Sequence, residues 1–153
     1  MKKTNIYMSD DISCTTKIAY EFAKSLKENC IIYLNGDMGS GKTLFTSKVA
    51  NYFGIHTITS SSFSRIQAHQ GTPNIIHCDL YRGNYSSSDF MEELDSHLVE
   101  PWLLFIEWPS GILYIPNSFQ YIVNIVTIGL NHRKFCIVQV TLQNIVPSEN
   151  SFI

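Results

Sequence analysis

The chain has 153 residues, 44% of them hydrophobic and 16% charged, with a formal net charge of −2. This is the length and balance of one core-forming domain, read as residues 1–143 with a frayed tail at 144–153, and not of a disordered chain. With three arginines it lacks the basic stripe of a direct nucleic-acid binder, and it has neither an apolar run of ~18 residues nor a secretory leader, so it reads as cytoplasmic with no membrane association.

In chain order, Asn5 to Met8 reads as a first strand. Ser9-Asp10-Asp11 is rich in helix-capping residues, and Ile18, Ala19, Phe22, Ala23 and Leu26 have helical spacing, which predicts a helix over Ile12–Glu28 that Asn29 ends. Cys30 to Leu34 is a buried strand. Gly36-Asp37-Met38-Gly39-Ser40-Gly41-Lys42-Thr43 follows it and fits G-x-x-x-x-G-K-[ST]. Leu44 to Phe53 reads as a helix closed by Gly54. Strand, tight turn and helix start stand in the order a phosphate cradle needs. Glycines let the backbone fold round an anion with its N–H groups inward. The segment Asp37 to Leu44 is thus the predicted phosphate site, with Lys42 reaching the β- and γ-phosphates and the Thr43 hydroxyl on Mg²⁺.

Beyond Gly54, Ile55–Thr59 is expected to form a short strand. Ser60-Ser61-Ser62-Phe63 is either a polar turn or a loop offering a hydroxyl to Mg²⁺ or the γ-phosphate. Phe63–His69 alternates like a strand, and Gln70-Gly71-Thr72-Pro73 turns the chain. Asn74–Asp79 and Trp102–Glu107 are apolar strands, each ending in an acid. Between them lie Arg82, a loop at residues 83–88, and a helix from Phe90 to about Leu98 capped by Ser88 or Asp89. Trp108-Pro109-Ser110-Gly111 breaks the second of these strands and Pro116 marks a further turn. Phe119–Ile128 and Phe135–Leu142 are dense in β-branched residues and read as a hairpin joined by Gly129 to Lys134. The four scattered cysteines contain no CxxC pair and read as reduced thiols.

A P-loop enzyme needs an acid at the end of a neighbouring strand, to hold Mg²⁺ or to polarise the attacking water. Asp79 and Glu107 both have this form, and Glu107, on the more apolar strand, is the better Walker-B-like acid. Arg82 either meets phosphate charge or pairs with Glu92 or Glu93. Trp108 either covers a nucleotide, contacts a partner or packs in the core. His77, inside a strand, reads as a packed histidine.

Four segments in fixed order now resemble one family. Leu34 to Thr43 is similar to L-x-G-D-L-G-A-G-K-T, Ser60-Ser61-Ser62-Phe63 to S-P-T-F, His77-Cys78-Asp79-Leu80-Tyr81-Arg82 to H-x-D-L-Y-R, and Ile106-Glu107-Trp108 to I-E-W. This is the pattern of the TsaE family, and it runs from about Asp10 to about Leu142. The resemblance implies an ATPase that uses ATP and Mg²⁺, weak alone, supporting a TsaB–TsaD-type pair in threonylcarbamoyl modification of the tRNA adenosine next to the anticodon; contact with tRNA would be through those partners. It also implies Thr43 and Glu107 at the metal, Asp79 as the catalytic or metal-linked acid, and Trp108 close to the nucleotide. Ser62 would stand for the family's threonine in a switch-like loop, and Asp11 and Arg133 would approach the base or ribose. Ser61 replaces a proline, Ser110 stands where glutamate is frequent, and the helix at Glu92 to His97 lacks the usual glycine.

The expected fold is a single α/β P-loop NTPase domain. Its mixed, mostly parallel sheet centres on Cys30–Leu34, is flanked by helices, and ends in an antiparallel C-terminal hairpin. Asp79, Glu107 and Lys42 are the candidate catalytic residues. A small-molecule kinase and a non-hydrolysing nucleotide switch are the alternatives; a kinase would need an acceptor pocket and an arginine-bearing lid.

Overall fold

The computed structural model describes residues 3–60, 65–81 and 87–140. Ser61, Ser62, Arg82 and the tail after Val140 lie outside the described residues, so the expectations attached to them concern chain not described here.

Seven strands form one sheet: β1 (Thr4–Ser9), β2 (Cys30–Asn35), β3 (Ile66–His69), β4 (Asn74–Asp79), β5 (Trp102–Glu107), β6 (Phe119–Thr127) and β7 (Arg133–Val140), in the order β1-β7-β6-β2-β5-β4-β3. Three helices are α1 (Ile12–Ser25), α2 (Lys42–Tyr52) and α3 (Ser87–Asp95). Parallel pairing runs through β6-β2-β5-β4, with β2 between β5 and β6. Antiparallel strands close both sides: β3 on β4, and β7 on β6 with β1 beyond it. The expected mixed sheet with a parallel centre is the observed one.

Central strands buried on both faces carry apolar side chains at nearly every position, and β2 and β5 do so. One face packs on α1 and α2, where the rings of Phe22 and Phe135 lie 5.7 and 5.4 Å from that of Phe45. The other packs on α3 through Phe90 and Leu94. Burying Phe45 completely contributes about 2–3 kcal/mol of transfer free energy.

Several boundaries differ from expectation. Ile55–Thr59 is not a strand, although Ile55 and Ile58 are buried in the same core cluster as the apolar residues of α1 and α2; two apolar anchors can pin an irregular segment without ladder partners. Helix α1 ends at Ser25, where Leu26 leaves helical geometry, and Asn29 turns the chain with φ 58. Helix α2 begins at Lys42, inside the glycine loop, because Gly41 supplies the left-handed residue before it. Helix α3 starts at Ser87 and stops at Asp95, three residues short of Leu98. No helix among the described residues is long and apolar enough to cross a membrane.

Candidate functional site

The glycine loop leaves β2 at Asn35 and turns into α2. Gly39 and Gly41 have φ of +79 and +103, values that side-chain-bearing residues rarely hold, and both leave open space where a Cβ would sit. Ser40 N–H donates to the Asp37 carbonyl at 3.0 Å and Phe45 N–H to the Gly41 carbonyl at 2.9 Å, which close the turn into the helix. No side chain caps α2. Its first-turn amides therefore lack the usual intrahelical and capping partners, the arrangement in which a helix start accepts an anion.

This turn forms one wall of an open cleft of about 310 Å³ lined by Met38, Gly39, Gly41, Lys42, Thr43, Leu44, Asp79, Tyr81, Glu107 and Trp108. The opposite wall comes from the carboxyl ends of β4 and β5, where Asp79 and Glu107 stand in register. Parallel pairing brings the two acids side by side, and Thr43 on α2 reaches one of them: its hydroxyl donates to Glu107 Oε1 at 2.6 Å. His77 Nε2 meets the same oxygen at 2.8 Å. Asp79 accepts the Tyr81 amide at 2.9 Å.

Lys42 Nζ donates to the carbonyls of Gly36 and Asp37 at 2.8 and 3.0 Å and lies 4.2 Å from the Trp108 ring centre. Trp108 has φ 55, a conformation bulky residues seldom hold, and its ring packs on Tyr81 at 4.9 Å. Burial pushes the Lys42 ammonium below its ordinary pKa, while Glu107, Asp79 and Asp37 pull the other way. Burial works to raise the Glu107 pKa, but the hydrogen bonds from His77 and Thr43 and neighbouring positive charge outweigh it, so the carboxyl titrates below its usual value.

Not every candidate meets in the cleft. Asp37 and Ser40 belong to the loop without lining the cleft, Asp37 exposed and Ser40 buried. Asp11 caps α1, its carboxylate accepting Cys14 N–H at 2.7 Å. Arg133, at the start of β7, lies behind the loop and not among the lining residues: its guanidinium donates to the carbonyls of Ser40 and Gly39 at 3.1 and 3.5 Å. Ser62 lies outside the described residues. Two participants were not foreseen in these positions. Tyr81 walls the cleft, and His77 is bonded to Glu107 where plain packing was expected. The signal for His77 was available: residues i and i+2 of a strand share a face, so H-x-D points the histidine the same way as Asp79.

The carboxyl edge of a parallel sheet with a strand–glycine loop–helix unit defines an α/β protein of the P-loop architecture. The crystal structure of Bacillus subtilis YdiB matches this fold with a TM-score of 0.67 at 24% identity, covering 94% of this chain and 90% of that one. The family model described as threonylcarbamoyl adenosine biosynthesis protein TsaE matches residues 9–135, and the chain belongs to the TsaE family. The tRNA threonylcarbamoyladenosine biosynthesis protein TsaE of Rickettsia conorii is 35% identical over 126 residues, 80% of this chain and 70% of that protein. Its counterpart of the same name in Rickettsia bellii is 40% identical over 106 residues, 66% and 72% of the two chains.

Proposed function

We propose that this chain is a cytoplasmic accessory ATPase that binds ATP with Mg²⁺ in the cleft above Met38–Leu44 and hydrolyses it. In this reading it supports threonylcarbamoyl modification of the tRNA adenosine next to the anticodon, together with TsaB- and TsaD-type partners. The observation that carries the reading is the 2.6 Å bond joining Thr43, in the first turn of α2, to Glu107 at the end of β5, within a cleft that also holds Lys42 and Asp79.

The residues fit the ligands. Gly39 and Gly41 leave the loop surface bare, the α2 amides are uncapped, and the Lys42 ammonium is within reach of the loop it would share with a phosphate. Mg²⁺, when bound with the nucleotide, neutralises charge that develops on the phosphate oxygens. Thr43 and Glu107 are the residues that would hold it. Among the described residues there is no group of three or more His, Cys, Asp or Glu side chains that could hold a metal, so much of its coordination would come from phosphate and water. Lys42 would exchange its two carbonyl partners for the β- and γ-phosphates. Glu107 is held by two side chains, Thr43 and His77, whereas Asp79, in register on the adjacent strand, accepts the Tyr81 amide; Asp79 is then the acid that would orient the water that attacks the γ-phosphorus and releases ADP.

Lys42→Ala should abolish phosphate release, and Asp79→Asn should keep nucleotide binding while losing most of the turnover. Colorimetric phosphate assays with equilibrium binding of a fluorescent ATP analogue read both. Native ATPase activity in the Lys42 variant would overturn the assignment.

A further inference from the structure

We propose that His77 is a positioning residue for Glu107: its Nε2–H holds the carboxylate against the Thr43 hydroxyl and so sets the geometry of the acid that faces the cleft. The inference rests on the reading above, in which Glu107 and Thr43 serve the metal side of the site.

Three observations carry it. His77 and Glu107 side chains are 1% and 5% exposed, so their 2.8 Å contact is made out of water. There, a hydrogen bond to a carboxylate is strong and directional. Second, Thr43 and His77 converge on one atom, Oε1, from two different elements, α2 and β4. The terminal torsion of a glutamate is otherwise broad; two donors on one oxygen fix it, and Oε2 takes part in neither bond. Third, His77 Nδ1 is buried without a hydrogen-bond partner among the described residues. A strand position chosen for packing alone would carry Leu or Phe and avoid an unpaired buried nitrogen. The ring is explained by what Nε2 does. Because a carboxylate only accepts, Nε2 must carry the proton. Outer-sphere partners of this kind typically change metal affinity or activity 10- to 100-fold when removed.

Two variants separate positioning from packing. His77→Leu keeps an apolar volume and removes the donor; His77→Gln places an amide N–H near the position of Nε2. We expect His77→Leu to raise the Mg²⁺ concentration for half-maximal ATP hydrolysis, or to lower kcat, about 10-fold or more. Affinity for a fluorescent ATP analogue measured in EDTA should be unchanged. His77→Gln should recover most of the loss. Equal Mg²⁺ dependence and kcat in His77→Leu and the native chain would overturn the proposal. So would a His77→Gln variant as impaired as His77→Leu when both unfold cooperatively. If His77→Leu does not fold, the Gln variant and a second measurement decide. Long-range ¹H–¹⁵N correlation spectra of the native chain without nucleotide or metal should show the Nε2–H tautomer at His77, and Glu107→Gln should shift that signal. An Nδ1–H tautomer, or a signal indifferent to Glu107→Gln, overturns the contact itself. This readout stands even if the chain proves to hydrolyse no ATP, so failure of the ATPase reading and failure of the histidine's role are distinguishable.

Discussion

Gly36 shows how one missing methyl shapes the site. A Cβ there would fall inside contact distance of Ser40 Oγ and 2.7 Å from the Ile125 carbonyl oxygen, and the second is backbone of β6 that cannot swing away. Gly36→Ala should therefore cost about 1–3 kcal/mol by overpacking, read as a lower midpoint in urea, and should weaken nucleotide binding because the loop must shift. An unchanged midpoint would mean that the loop yields freely. Glu107 makes a second residue-level prediction, through pH. Its carboxyl titrates below the ordinary 4.5 when folded, so on acidification the unfolded chain takes up this proton first. The stability it contributes is complete above pH 4.5 and is lost as pH falls from there through the folded value. Melting temperature against pH should drop more steeply below 4.5 in the native chain than in Glu107→Gln. Parallel curves would assign acid unfolding to other carboxylates. The roles of these residues were unequally visible in advance. The glycine spacing and the two strand-end acids could be read directly, because local motif and apolar run coincide. That Thr43 and Glu107 meet was implied only by the resemblance, and H-x-D gave the direction of His77 but not its bond to Glu107 Oε1, since that bond needs the relative placement of β4 and β5, which no short stretch encodes.

The elements that carry these residues were legible where burial is continuous and obscure where it is shared. Strands β2, β4 and β5 stand out because their apolar runs are bounded by turns, and α1 because its apolar stripe is regular. Ile55–Thr59 misled for the opposite reason: its β-branched residues suggest a strand, but its two buried isoleucines are three residues apart and anchor an irregular segment without a strand partner. The β6–β7 hairpin was expected, but not its service to the loop. Arg133 opens β7, donates to the Gly129 carbonyl at 3.1 Å within the turn, and reaches across to the carbonyls of Ser40 and Gly39. It therefore braces the outer side of the glycine loop, where carbonyls point away from any ligand on the amide side. Arg133→Ala should cost about 1–2 kcal/mol in denaturant unfolding, given charge-assisted bonds at a half-exposed position. It should also weaken nucleotide binding several-fold. Arg133→Lys should not restore either, because a point charge cannot reproduce the fork that spans several carbonyls. If binding were unaffected in both, the loop would be held by its own turn and the hairpin would be incidental to it.

At the scale of the whole molecule, the parallel centre and the antiparallel hairpin were foreseeable, but two pairings were not. β6 lies parallel to β2 on the side away from β5, and β1, first in the chain, pairs with β7, last among the described strands. Both join segments far apart in sequence, and β-branched composition says that a strand exists without saying which neighbour it takes. The resulting order leaves the cleft at the carboxyl edge, between α2 and the ends of β4 and β5, with Lys42 the single cationic side chain among the described residues that line it. Lys42 is also held by two loop carbonyls and the face of Trp108. If this cleft binds ATP as proposed, it has little positive charge to spread over a transferring phosphoryl group. Turnover by the chain alone should therefore be slow, and partners of TsaB and TsaD type should accelerate it. Where a partner supplies an arginine to such a site, the gain reaches ~10³–10⁵. Phosphate release measured with the chain alone, with the partner pair, and with tRNA added to each should show at least about tenfold stimulation by the partners on that basis. With a net charge of −2 and three arginines in all, the chain should respond little to tRNA alone. Stimulation by tRNA without partners would mean that the RNA contacts this chain itself, and fast turnover in isolation would mean that the cleft is catalytically complete without a second protein.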